Sequence, residues 1–126
     1  MGIMNGIIGN ASTVSKEEVS QTLKDILFPG EEIQQAYKLI RDLIVFTGHR
    51  LILVDIQGVT GKKVAYHSIP YGNITHFVTE TAGTFDLDAE LKIWISGSEY
   101  PIQKTFKKGN SIGDIQQLLA YHVCGQ

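Results

Sequence analysis

Between Lys16 and Leu27 the apolar residues Val19, Leu23, Ile26 and Leu27 recur at the spacing that lines one face of an α-helix. Ser15 stands just before this stretch and Glu18 three residues later, a capping-box arrangement that sets the helix start. Phe28-Pro29-Gly30 ends it, because proline disfavours helix in the residue before it and glycine permits a turn. From Glu31 the period shortens. Ile33, Tyr37, Leu39, Leu43 and Val45 occupy odd positions with Gln34, Lys38 and Asp42 between them, the alternation of a half-buried strand.

Turn residues then recur at short intervals. Gly48-His49 predicts a tight hairpin into Arg50–Asp55, and Gln57–Lys62 a second turn into Lys63–Ile69. Pro70–Asn73 interrupts that strand before Ile74–Thr81, while Ala82-Gly83 and Asp86–Glu90 mark further turns. Leu91–Ile95 alternates, and Gly97-Ser98 turns the chain into Glu99–Phe106. Ser111–Asp114 carries a second cap signature, followed by an apolar stripe of Ile112, Ile115, Leu118, Leu119 and Val123 suited to lie across the end of a sheet. Helix, about seven short strands, helix: this order specifies an α+β fold with an antiparallel sheet and excludes parallel βαβ units. A single domain over 1–126 is expected, with an N-terminal helical segment 1–28, strands over 31–106 and a C-terminal helix 111–124.

Composition narrows the function classes. The 126 residues carry a formal charge of −2, with 43% hydrophobic and 19% charged residues, which suits one globular core. That balance argues against nucleic-acid capture and against a polybasic membrane anchor. One cysteine, Cys124, allows no intramolecular disulfide and fits a reducing compartment. The first ten residues lack the basic flank of a signal peptide and are too glycine-rich to span a membrane, so the cytoplasm is the expected location. Ile3, Ile7 and Ile8 nonetheless make this start apolar, and it is expected to pack on its own barrel or on a neighbouring subunit.

Four long motifs, Phe46–Asp55, Gly58–Lys63, Tyr66–Tyr71 and Glu80–Gly97, together resemble a family of stand-alone bacterial pleckstrin-homology (PH) domains. The resemblance implies a PH-like, partly open barrel of about seven antiparallel strands capped by the C-terminal helix. It implies ring-like homo-oligomers as well, with no catalytic residues and no cofactor. It does not extend to the basic loop with which lipid-binding PH domains cradle inositol phosphates. The corresponding connection, Lys38–Leu43, is short and sets Asp42 beside Arg41.

Candidate chemistry is sparse. Gly58–Lys63 departs from a phosphate loop, which needs Ser or Thr after the lysine and a helix behind it; here Lys63 and a strand follow. Asp86, Asp88 and Glu90 alternate and could present three carboxylates to a hard cation, the basis of a metal-dependent enzyme reading; solvated turn and edge residues account for them better. His49, His67, His76 and His122 lie on different elements without zinc-ligand spacing. Arg41, Asp42, Arg50 and Asp55 alternate in sign and suit salt bridges across strands or subunits. Phe46 and Trp94 share the phase of polar neighbours, which marks them for an exposed contact surface. The sequence therefore favours a non-enzymatic binding and assembly module, with Ile3, Ile7, Ile8, Phe46, Arg50 and Trp94 as its candidate surface. A protein or peptide is the expected partner, and no small-molecule substrate is expected. The alternative is anionic-lipid binding through Lys62, Lys63, Lys104, Lys107 and Lys108.

Overall fold

A computed structural model describes residues 12–13, 15–39, 41–59, 63–81, 88–106 and 111–125. A short strand β1 (Ser12–Thr13) leads into helix α1 (Lys16–Thr22). The strands β2 (Ile33–Lys38), β3 (Leu43–Thr47), β4 (Arg50–Gln57) and β5 (Lys63–Pro70) follow, then a 3-10 turn at Tyr71–Asn73. The chain continues through β6 (Ile74–Thr81), β7 (Ala89–Ile95), β8 (Ile102–Phe106) and helix α2 (Ser111–Leu119), which runs on as a π-helical turn over Ala120–Cys124. All ladders are antiparallel and sequential: β1-β2-β3-β4-β5 form one sheet and β6-β7-β8 the other. Among the described residues no ladder joins the two sheets, so the barrel is open, as expected of a PH-like fold.

The cap at Ser15 forms: its hydroxyl oxygen accepts from the Glu18 amide at 3.2 Å and its hydroxyl donates to Glu17 at 3.0 Å. The acidic partner of the cap is thus Glu17 rather than Glu18. The helix is seven residues long, shorter than the periodicity through Leu27 predicts. After Thr22 the chain loosens into turns, yet Leu23, Ile26 and Leu27 still face the sheet. The β1–β2 pairing was not expected, since two residues carry no periodicity.

Two apolar layers hold the molecule together. The interior joins Tyr37, Ile44, Phe46, Leu51, Leu53 and Ile69 of the first sheet to Leu91, Ile93 and Phe106 of the second, and α2 closes it with Ile115 and Leu119. The second layer lies on the outer face of the first sheet, where Val19 of α1 and Leu23 just after it cover Ile33, Ala36, Val45, Ile52 and Val54. Central strands β3 and β4 are buried on both faces, which explains their unbroken runs of large aliphatic residues.

Covered on both faces, Phe46 cannot be a contact residue: it is fully buried in the interior. Alternation misplaced it because its polar-phase neighbours do not mark a solvent face where a helix covers the sheet. A second correction concerns β2. Register shifts between Ile33 and Gln35, so Ile33 joins the outer layer while Tyr37 and Leu39 point inside. One extra residue flips the side-chain phase, and a strict odd-position reading fails there.

Candidate functional site

The polar interior of the molecule is built around the β3–β4 turn. Thr47 closes that turn by accepting from the His49 and Arg50 amides at 3.0 and 3.1 Å, while its own hydroxyl donates to Glu31 at 2.8 Å. Arg50 grips the same carboxylate through Nε and Nη2, and Nη2 donates to the Ile26 carbonyl at 2.9 Å. Arg50 is therefore a strut between β4, α1's trailing turn and the 28–31 corner, not a free surface cation. Its guanidinium holds the Glu31 carboxyl down at about 2, against an ordinary 4.5. Tyr71 donates to the Thr47 carbonyl at 2.7 Å, and burial pushes its phenol above the usual range.

On the other side of Tyr71 lies His122, in the π-helical turn that ends α2. The two rings stack at 4.0 Å and 4°. His122 Nε2 donates to the Gln34 side-chain carbonyl at 2.7 Å, tying the closing helix to β2. His122 is buried, and desolvation pushes its imidazole below its ordinary 6.5. These groups form a structural spine, for each is occupied in holding two elements together.

The sign-alternating residues near the first hairpin are also engaged. Arg41 donates to the Gly58 carbonyl at 2.7 Å, and Asp42 accepts from the Ile56 amide at 3.0 Å. Asp55 accepts from Gln57, and Lys104 lies 3.8 Å from Asp42. Together Arg41, Asp42, Asp55 and Lys104 line a mixed-charge cleft of about 330 Å³ at the mouth of the barrel. Positive and negative groups there largely cancel, so the cleft lacks the concentrated positive potential that an inositol phosphate needs.

The remaining candidates are surface features. Trp94 is half-buried on the outer face of the second sheet, opposite His76, and the two rings stack at 4.4 Å and 15°. Lys92 beside it reaches toward Glu80 at 3.7 Å. β5 pairs with β4 and β8 with β7, and among the described residues neither has a partner on its other edge. β5 exposes Tyr66, His67 and Ser68 along that free edge. The β5 edge and the aromatic pair are accessible surfaces among the described residues.

Several expected residues do not converge. Ile3, Ile7, Ile8, Lys62, Lys107, Lys108 and Asp86 lie outside the described residues. Asp88 is exposed, Glu90 faces Glu80 and Thr105 across the sheet, and no group of three metal-ligating side chains occurs among the described residues. Of the lysines proposed for lipid, Lys63 is exposed whereas Lys104 is turned to Asp42. The spine residues Glu31, Thr47 and Gln34 were missed. A glutamate beside a helix-stopping glycine and a threonine before a tight turn are ordinary surface residues in sequence, and only the fold buries them.

The two-residue β1 aside, an open barrel of the seven strands β2–β8 with a C-terminal capping helix defines a PH-like domain. The family profile described as "Bacterial PH domain" matches residues 2–123, and the chain belongs to that family. It is 60% identical over 121 residues to the uncharacterized protein YjqA of Bacillus subtilis, covering 95% of this chain and 97% of that one. Uncharacterized protein YozO of the same organism is 32% identical over 112 residues, covering 89% of this chain and 96% of its own. Among solved structures, a DUF1696 family protein with a pleckstrin-homology domain from Shewanella loihica superposes with a TM-score of 0.81 at 54% identity, over 92% of this chain and 99% of that chain.

Proposed function

We propose that the chain is a non-catalytic binding and assembly module, whose copies associate into a closed, ring-like homo-oligomer that presents a surface to a protein or peptide. The observation that carries this reading is that both sheets end in strands unpaired on their outer side among the described residues, β5 closing the first order and β8 the second. Two different edges on one protomer suit head-to-tail pairing, and a head-to-tail contact that closes on itself gives a ring. An edge not consumed by assembly remains available to an extended peptide, with main-chain hydrogen bonds supplying affinity. The Trp94–His76 pair offers an aromatic anchor beside it. Polar groups near the barrel centre are already bonded to one another, which favours a binding role over catalysis. No described helix is long and apolar enough to cross a membrane, and the lone cysteine suits the cytoplasm.

Light scattering behind size exclusion, at two concentrations and two salt levels, tests the assembly. A fixed multiple of the 13.9 kDa subunit mass that survives dilution is expected; a monomer under all conditions overturns the reading. Sedimentation with anionic vesicles at low salt would instead favour the lipid alternative.

A further inference from the structure

β6 begins the second sheet and pairs only with β7. Among the described residues no backbone hydrogen bond joins positions 75–81 to anything beyond that ladder. Alternate residues of an edge strand turn their N–H and C=O groups outward, so β6 carries a row of unused main-chain donors and acceptors. Helix α2 comes alongside through side chains, with Thr79 Oγ1 donating to Gln116 at 2.9 Å, and leaves that row untouched. What complements such a row in register is another extended main chain.

The outer face of β6 specifies which one. His76, Val78 and Glu80 stand there opposite Trp94, Lys92 and Glu90 of β7, while Phe77 packs on the interior. One end of this face is aromatic, with the His76 and Trp94 rings stacked at 4.4 Å. The other end is acidic. Glu80 and Glu90 lie directly opposite each other, an arrangement that costs stability, and Lys92 at 3.7 Å from Glu80 offsets only one of the two charges. Glu80 keeps 52% of its side chain exposed, open to a second cation from the edge. We propose that the outer edge of β6 is a strand-addition site for an extended peptide with a basic residue opposite Glu80, an aliphatic one opposite Val78 and an aromatic one opposite His76. Antiparallel pairing reverses the order, so from its N-terminus the ligand reads basic, any, aliphatic, any, aromatic. This site deepens the peptide-binding reading above, on which it rests, and leaves β5 and β8 to assembly.

The probe is the peptide Thr-Lys-Thr-Val-Thr-Phe-Thr, blocked at both ends and titrated to about 1 mM. Trp94 is the chain's one tryptophan and the peptide has none, so its emission reports binding beside His76. A saturable change in emission is expected, with hydrogen–deuterium exchange slowed at 75–81 and the scattering mass of the assembly kept. A peptide with Glu in place of Lys is expected to bind about threefold or more weakly, and Glu80→Lys to reverse that preference. Glu80 is exposed, so this substitution leaves the fold intact. Methylating the peptide's amide nitrogens in one alternate set should abolish binding, and in the other set spare it. No emission change at about 1 mM would overturn the site. Protection confined to β5 or β8 would overturn it as well, while peptide binding stood on another edge; protection on no strand would remove the peptide-binding reading itself. Loss of the oligomer on adding peptide would assign β6 to assembly and overturn the proposal.

Discussion

Arg50 clasps Glu31 from two directions, Nε to Oε2 at 2.9 Å and Nη2 to Oε1 at 2.7 Å, with the Glu31 carboxylate fully withdrawn from solvent. The pair bridges β4 and the corner after α1, so it couples the outer apolar layer to the hairpin that enters the core. Removing one partner is costlier than the pair's net worth, because the other charge is left buried. Arg50→Ala is therefore expected to cost about 3–5 kcal/mol in a urea titration. Glu31→Gln is expected to cost less, because Arg50 keeps a fifth of its side-chain surface in water.

The same pair sets an acid limit. Glu31 has its folded pKa depressed from 4.5 to about 2, so its stabilising contribution is present above pH 4.5 and is lost as pH falls toward 2. Linkage puts that contribution on the order of 3 kcal/mol. Unfolding midpoints measured between pH 5 and 2 should fall for the natural chain and fall less for Glu31→Gln. Equal slopes would show that the carboxylate is not the acid-sensitive element.

His122 acts in a higher window. Burial favours its neutral form, so the folded pKa lies below the unfolded value of 6.5. Stability is fully present above pH 6.5 and declines as the pH falls below it, since the unfolded chain then binds the extra proton. Groups facing it include Tyr71 from the 3-10 turn, Phe46 from β3, Gln34 from β2 and Tyr121 of its own turn, with Glu31 and Arg50 behind Thr47. His122→Phe should keep a ring against Tyr71 and flatten the pH dependence between 7.5 and 5.5. A histidine-independent slope over that range would place the titration elsewhere.

Two aromatic residues that the alternating pattern treats alike should behave oppositely. Phe46 fills the interior, so Phe46→Ala is expected to cost about 3–5 kcal/mol. Trp94 lies half-buried on an outer face, so Trp94→Ala should cost far less while altering any partner binding there. Comparable losses at both sites would mean that Trp94 belongs to the core.

These contrasts show where sequence reading succeeds. Turn residues punctuate the chain so regularly that strand order was readable: Gly58 and Gly97 sit at positive φ in the turns assigned to them. The stripe that predicted the closing helix delivers Ile115 and Leu119 to the interior. What alternation does not encode is a second cover. Val45, Ile52 and Val54 turn outward under α1 while Phe46 and Leu51 turn inward, and both sets read simply as apolar. Nor does it encode the bulge after Ile33, which changes phase through backbone geometry alone. The half-burial of Trp94 on an outer face was legible because Glu90 and Lys92 share its phase while Leu91 and Ile93 take the other. Arg50 was not, since its partner Glu31 lies nineteen residues away.

The assembly reading makes a reciprocal demand on the β5 and β8 edges. If β5 of one copy pairs with β8 of the next, charge added to either edge should break the same contact. Tyr66→Lys with His67→Lys alters only exposed positions of β5, so the subunit's own stability should stay within about 0.5 kcal/mol. Gln103→Lys with Thr105→Lys does the same on β8, where both residues are exposed. Each double variant is expected to reduce the scattering mass to that of one subunit, with far-UV circular dichroism unchanged. Mixing the two variants is informative as well: each retains one intact edge of the opposite kind, so they can form a pair but cannot close a ring. A dimer in the mixture would identify a head-to-tail contact between β5 and β8. If neither variant alters the mass, assembly uses another surface, and both edges stay open to peptide.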